Sequence, residues 1–414
     1  MRFSQHSDLL TKVPPLQCVT KIGLTLVVGL GFLAQPFLTF IVVLLLALLS
    51  KDRNDRGLLV VIIVGALYLS LVNLTKLPES DMVNYLEVFD NAQQLDLTSY
   101  LLLNAREPLY YVSLYGLANL PNVDGRLYIF MSTFFPYFLL GSAVLRLGVA
   151  LHLERRAILS LLVFLLFFGQ LFSLSAHLCR QFLASSLVMV FLVDYSISGR
   201  RRWGIGLLGV MMHYSALPLL LLCFVRPLRR FSSGVSVLFH AFVLLSFYAL
   251  VSKVAPLLLG VPLIGIVFNR LANGEGAQLD ALDLTALIFA ASMLFMSLLD
   301  LIRGGAFVPR VKGWSVLLCI VVVSVAVVLA SVQPSLSEIA LRYFFYLYFL
   351  LGLALAFWMA RWLLVRWGVY GLALFALPLF FYKVSHGRWA YAPIQSLLFD
   401  PAWSLWAYMK SAYI

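Results

Sequence analysis

Apolar stretches of membrane-spanning length run through almost the whole chain, and no other feature constrains its fold as strongly. They cover roughly residues 22–50, 57–74, 127–149, 157–175, 182–198, 203–225, 234–252, 283–302, 314–332, 340–360 and 367–382, where about 20 apolar residues make an untilted helical span. Such runs are far longer than barrel strands and lack their period-two alternation. The fold class they imply is an all-α polytopic membrane protein with about 10–12 transmembrane helices. With 62% hydrophobic and only 12% charged residues, a soluble globule is excluded. Residues 22–50 read either as one long helix kinked at Pro36 or as a tight hairpin. Residues 203–225 read as one span or as two half-helices meeting near His213. Residues 1–17, with Arg2, His6, Asp8 and Lys12, are too polar for a signal-peptide core and are expected to be retained. Cys18, Cys179, Cys223 and Cys319 lie scattered in apolar segments without paired spacing, which points to core cysteines and away from a zinc site or disulfide framework.

Orientation follows the basic loops. Lys51/Arg53/Arg56, Arg155/Arg156, Arg200/Arg201/Arg202, Arg226/Arg229/Arg230, Arg303/Arg310/Lys312 and Arg361/Arg366 are expected on the cytoplasmic side. Placing them together requires that Leu109–Leu120 does not cross fully and that 203–225 dips in and returns. Re-entrant or half-helices are therefore expected near 108–121 and 203–225, buried in protein or lining a cavity. The whole chain, 1–414, reads as a single integral membrane domain. It carries a long periplasmic loop at 75–126 with surface-lying helices and a second periplasmic loop at 253–282. The net charge of +12 is mostly this topology signal, and nothing suggests a nucleic-acid surface.

Polar groups that do not belong in a bilayer cluster at the outer face. Asp81 and Tyr85 share one side of a helix by spacing, although Ser80 or Asp81 also suits an N-cap. In Arg106-Glu107-Pro108-Leu109-Tyr110-Tyr111, Pro108 starts a short helix and places Arg106 and Glu107 at its entrance. His177, Arg180 and Gln181 are spaced three and four apart, on one helical face. An intramembrane arginine calls for an anionic partner or ligand, while snorkelling to the headgroups is the plain alternative. Glu338 and Arg342 are four apart and suit either a self-contained ion pair or a carboxylate holding Arg342 for a ligand. His213-Tyr214-Ser215 sits at the break of the possible re-entrant element, and Arg270 is a weaker candidate from the second outer loop. Several arginines on one face make an anion site, and phosphate is the anion that guanidinium forks match best.

Other chemistry lacks its residues. The chain has no phosphate loop with a following lysine, no HExxH or nucleophile elbow, and no acidic cluster of metal-ligand density. No cofactor and no metal are expected.

The order of motifs, Asp81-x-x-x-Tyr85, Arg106-Glu107-Pro108, Arg180-Gln181-Phe182-Leu183-Ala184, His213-Tyr214-Ser215-Ala216, Arg342-Tyr343 and the late Tyr391-Ala392-Pro393, resembles the EpsG family. These are Wzy-like polymerases of exopolysaccharide, capsule and O-antigen repeat units. Ser80 stands where the family usually has Gly before the early Asp. The resemblance implies a GT-C-like, integral-membrane glycosyltransferase at the outer face of the bacterial inner membrane. Such an enzyme joins undecaprenyl-diphosphate-linked glycans, with a chain-length regulator and a repeat-unit flippase as implied partners beside the bilayer itself. In that chemistry Arg180 and Arg342, then Arg106, are expected to bind the substrate diphosphate. His213, Glu107 or Asp81 is expected to serve as the base for the acceptor hydroxyl. Gln181, Tyr85, Ser215 and Tyr343 are supporting residues, and Tyr85, Tyr110 and Tyr111 offer a sugar-stacking surface.

Two other readings compete. A transporter or flippase of lipid-linked oligosaccharide also wants arginines and broken helices, but predicts midplane charges and inverted repeats. A ligase, or a transferase of single sugars from a polyprenyl-linked donor, keeps the enzyme class and changes the reaction.

Overall fold

The structure is a computed structural model, and it describes residues 15–50, 55–79, 81–104, 107–222, 282–302, 307–308, 311–332 and 337–412. Helices α1 (Pro15–Ala34) and α2 (Pro36–Leu49) meet at Gln35. Pro36 cannot donate to the helix before it and pushes Gln35 into an extended conformation, so one helix ends and another begins. The bend is sharp: a Cβ on Gly31 would stand 3.0 Å from Thr39 Oγ1. Gln35 Nε2 donates to Phe399 O at 2.6 Å, which pins the bend to the C-terminal segment. Of the two readings for 22–50, the structure takes the one with two helices.

The core is built from α3 (Arg56–Leu74), α7 (Gly125–Ala150) and α10 (Cys179–Ser198). Helix α3 is apolar on every face and buried on nearly all of them, as a helix with no amphipathic stripe must be. Gly141 of α7 lets Ile62 of α3 approach until a Cβ would sit 2.8 Å from Ile62 Cγ2, the small-residue contact that membrane helices use. Helices α8 (Arg155–Leu166) and α9 (Gly169–Ser175) are bent by 52° and together have the length of a span.

Between α3 and α7 lie α4 (Asp81–Gln94), α5 (Leu97–Leu103) and α6 (Pro108–Ala118). Asp96 caps α5, accepting from Thr98 N and Ser99 N at 3.0 and 3.1 Å. Helix α6 starts at Pro108 as expected. Its 11 residues reach only about 16 Å, so it does not cross. Helix α11 (Trp203–Met212), a 3-10 turn at Tyr214–Ala216 and α12 (Leu217–Leu222) follow α10. Gly206 and Leu220, equidistant from His213 in sequence, are in contact: a Cβ on Gly206 would meet Leu220 Cδ1 at 2.5 Å. The chain therefore doubles back at His213, as the half-helix reading of 203–225 requires.

After the undescribed stretch come α13 (Leu282–Ile302), a two-residue antiparallel pairing of β1 (Phe307–Val308) with β2 (Val311–Lys312), α14 (Trp314–Val332) and α15 (Ser337–Arg361). Helices α16 (Leu363–His386), α17 (Ile394–Phe399) and α18 (Ala402–Ala412) complete it. Among the described residues, five helices are long and apolar enough to cross a membrane, or six with the bent pair. The expected span 234–252, the loop around 253–281, Arg226, Arg229, Arg230 and Arg270 lie outside the described residues.

The two ends of the bundle are built differently. At one end Arg146 and Arg202 pair with buried Asp194, Arg361 pairs with Asp300, and Arg366 pairs with Glu154. The other end carries α4–α6, the α9–α10 elbow, the turn at His213 and the segment after α16.

Candidate active site

Arg180 occupies the first turn of α10 at that second end. Glu107 stands just before Pro108, in the capping position of α6, yet its side chain caps nothing. Its Oε2 instead accepts from Arg180 Nη1, and its Oε1 is hydrogen-bonded to His213 Nδ1. One carboxylate thus bridges residues from α6, α10 and the α11–α12 turn, and it is only 5% exposed. Burial alone would raise the Glu107 carboxyl. The hydrogen bond and charge of His213, with the Arg180 guanidinium, outweigh it and hold the group below the usual carboxylate range.

Tyrosines wrap the guanidinium. Arg180 Nη1 also donates to Tyr111 OH at 3.1 Å, and Nε reaches Tyr85 OH at 3.5 Å. The Arg180 Cζ lies 5.4, 5.5 and 5.9 Å from the ring centroids of Tyr85, Tyr110 and Tyr111, within cation–π range. Tyr110 and Tyr128 share a hydrogen bond behind them. Tyr85 and Tyr110 are buried. They serve as packing around Arg180 and not as the open sugar-stacking surface expected of them; Tyr111 is half-buried. Arg180 is held by these protein groups. Its side chain stays 29% exposed, and among the described residues Nη2 has no partner, so one arm of the fork faces outward.

His213 breaks the chain in an extended conformation, with φ −159° and ψ 120°, between α11 and the 3-10 turn. When the ring is neutral, a carboxylate on Nδ1 places its proton there and leaves the Nε2 lone pair to accept. Two residues on, Ser215 Oγ bonds Tyr346 OH at 2.7 Å and ties the turn to α15. Arg342 lies four residues before Tyr346 on that helix. Arg106 and the side chains of Glu338, Arg342 and Tyr343 lie outside the described residues.

Two expectations fare differently. Asp81 opens α4 but makes no hydrogen bond or ion pair with the described groups, so it stands apart from the Glu107 network. His177 does not share a helical face with Arg180 and Gln181, because α10 begins only at Cys179. His177 lies in the elbow before it and turns to Lys76 and Trp389. Gln181 is buried at the foot of α10. Sequence reasoning passed over Lys76, Trp389, Tyr128 and Tyr346. Lys76 alone had a usable signal: it is a lone cation just past the end of an apolar span.

The model of the EpsG family matches residues 58–393, a stretch that contains every element of this network. No curated protein and no solved structure matches the chain. The chain belongs to the EpsG family, a family of Wzy-like polymerases.

Proposed function

We propose that this EpsG-family chain is a glycosyltransferase that polymerises undecaprenyl-diphosphate-linked repeat units into a surface polysaccharide at the outer face of the bacterial inner membrane. The observation that carries this reading is the Glu107 carboxylate held between Arg180 and His213. It joins, in one buried network, a guanidinium suited to a diphosphate and an imidazole with a free acceptor nitrogen. A base and an anion-binding group side by side are what a displacement at an anomeric carbon needs.

In the step proposed, the acceptor hydroxyl oxygen attacks the anomeric carbon of the donor glycan. Its proton passes to His213 Nε2, and the bond from the anomeric carbon to the diphosphate oxygen breaks. The electron pair leaves on the diphosphate, whose growing charge is met by the outward arm of Arg180. Glu107 orients the imidazole through Nδ1 and stabilises the imidazolium that forms, as a carboxylate behind a histidine base does in other enzymes. Among the expected bases this favours His213, with Glu107 behind it. Arg342 and Arg106 are proposed as further diphosphate ligands.

The test is an elongation assay of the purified protein with a defined undecaprenyl-diphosphate repeat unit, comparing wild type with Arg180→Ala and His213→Ala. A ladder of longer lipid-linked glycans in wild type and none in either variant supports the reading. Demonstrated binding of the cognate substrate without any elongation by wild type would shift it to transport or ligation.

A further inference from the structure

Beside the Arg180–Glu107–His213 network, this end of the bundle buries a second cation. Lys76 follows α3 by two residues, its side chain is 1% exposed, and no carboxylate among the described residues pairs with it. A lysine ammonium has three donors and no acceptor, and three groups surround this one. The Ala176 carbonyl lies at 3.2 Å, His177 Nε2 at 3.4 Å, and the Trp389 ring centroid at 4.4 Å. Because the ammonium only donates, His177 meets it with the Nε2 lone pair and carries its proton on Nδ1. Burial, with the charges of Lys76 and Arg388, drives the His177 pKa down to about 3, so the ring is neutral. Burial also lowers Lys76 to about 8, against the opposing influence of Cys179, Glu79 and Asp81, and it remains cationic at neutral pH.

The chain after α16 closes the cluster from behind. Leu77 N donates to Ala390 O at 2.9 Å, and Ala392 N donates to Thr75 Oγ1 at 3.3 Å. Three stretches distant in sequence therefore meet at one ammonium. Lys76 is enclosed by the Ala176 carbonyl, the His177 ring and the face of Trp389, so its use is mechanical. What it grips is the elbow between α9 and α10: Ala176 and His177 stand just before Leu178, the N-cap of α10. Arg180 is three residues past His177, and the start of α10 sets the aim of its guanidinium.

We propose that Lys76 is a positioning residue for Arg180. By holding Ala176 and His177 against the Trp389–Ala392 segment, it fixes the elbow from which α10 presents the guanidinium to Glu107 and to the leaving diphosphate. This rests on the reading of Arg180 as a diphosphate-binding residue. Misplacement of a catalytic group by about 1 Å can cost on the order of a hundredfold in rate, so an elbow freed to shift should be visible in kcat.

A double-mutant cycle separates positioning from general structural support. Elongation rates are measured for wild type, Arg180→Lys, Lys76→Gln and the double variant, each first shown to be monodisperse in detergent. The expected result is a fall in kcat of about tenfold or more for Lys76→Gln in the wild-type background, with a small change in KM. In the Arg180→Lys background the same substitution should cost less than about threefold, because the fork whose aim Lys76 sets is already gone. Equal losses in both backgrounds, or wild-type kcat for Lys76→Gln, would overturn the positioning role while leaving the function intact. Wild-type kcat for Arg180→Lys would overturn the reading of Arg180 as a diphosphate-binding residue, and this proposal with it. If Lys76→Gln does not yield a monodisperse protein, Lys76→Arg takes its place in the same cycle. Its planar fork keeps the charge but does not fit the three-sided cluster, and the same outcomes decide.

Discussion

Replacing Glu107 by glutamine changes one atom and should dismantle the site. The carboxylate accepts on both oxygens, one from Arg180 and one from His213. An amide has a single acceptor oxygen and two N–H donors. If that oxygen stays with Arg180, the amide nitrogen faces His213 Nδ1. The imidazole must then accept there and carry its proton on Nε2, where the base should be. If the amide turns over, a donor faces the guanidinium of Arg180 and the fork loses its anchor. Loss of a general base costs about 10²–10⁴ in rate, so kcat for Glu107→Gln should fall by about 10²–10⁴, or roughly 3–5.5 kcal/mol. Stability should fall less. Breaking a fully buried pair costs about 3–5 kcal/mol, but Arg180 is partly exposed and keeps Tyr85 and Tyr111, so a loss of about 1–3 kcal/mol is the expectation. The assay is the elongation ladder under single-turnover conditions, with thermal unfolding of the same detergent sample. A glutamine variant within about threefold of wild-type kcat, and no less stable, would refute the bridge as the operative feature of the site.

Glu107 also fixes an acid limit. Its carboxyl lies below the ordinary 4.5 in the folded state, so its contribution is fully present above about pH 4.5 and is lost as pH falls through the lowered folded value. The difference in Tm between wild type and Glu107→Gln should therefore be flat from pH 7 to about 5 and close below that; a gap that closes already between pH 7 and 6 would contradict it. Gly206→Val should force Leu220 away, since even a Cβ would meet it at 2.5 Å. A loss of about 1–3 kcal/mol is expected, together with reduced kcat through displacement of His213. Unchanged Tm and kcat would mean that α11 and α12 do not pack as a hairpin. Finally, with Cys18 and Cys223 replaced by serine, a cysteine at exposed Thr98 should react with an impermeant thiol reagent from outside. One at exposed Arg200 should not. The reverse pattern would place the site on the cytoplasmic face.

The parts of this molecule that were legible in sequence are those governed by local rules. Apolar length found the spans α3, α7, α10, α15 and α16, with α3 and α7 placed to within two residues and α16 four residues short at each end. Pro108 marked the start of α6, and the need to keep basic loops on one side marked the turn at His213. Arg180, Glu107 and His213 were each singled out, but the bridge between them was not, because it joins positions 73 and 106 residues apart. No spacing rule reaches across such gaps. The same distance hid the tyrosine packing: Tyr85 and Tyr110 look like exposed interfacial aromatics until Tyr128 and Arg180 close over them. His177 was misread for a local reason. Its spacing from Arg180 suits a helix, but the helix starts two residues later, and element boundaries are the least certain part of any periodicity argument.

The charge of the bridged site bears on which further residues it needs. Arg180 contributes one positive charge and Glu107 one negative, so with a neutral His213 the network has no net attraction for a diphosphate. A buried carboxylate near the leaving group even repels it, unless other cations are close. The candidates proposed for this are Arg106, which directly precedes Glu107 in sequence, and Arg342, one helical turn before Tyr346, whose hydroxyl is bonded beside the His213 turn. Arg342→Gln should therefore weaken binding of undecaprenyl diphosphate by about tenfold or more, on the scale of one charge-assisted hydrogen bond to phosphate. Where the amide oxygen stays with Arg180, Glu107→Gln should tighten that binding, because it removes the opposing charge, while kcat falls by about 10²–10⁴. Binding to the protein in lipid nanodiscs, measured side by side for the two variants, tests the argument. If the two substitutions move affinity in the same direction, the diphosphate does not lie against Glu107, and the leaving group must be sought elsewhere on this face.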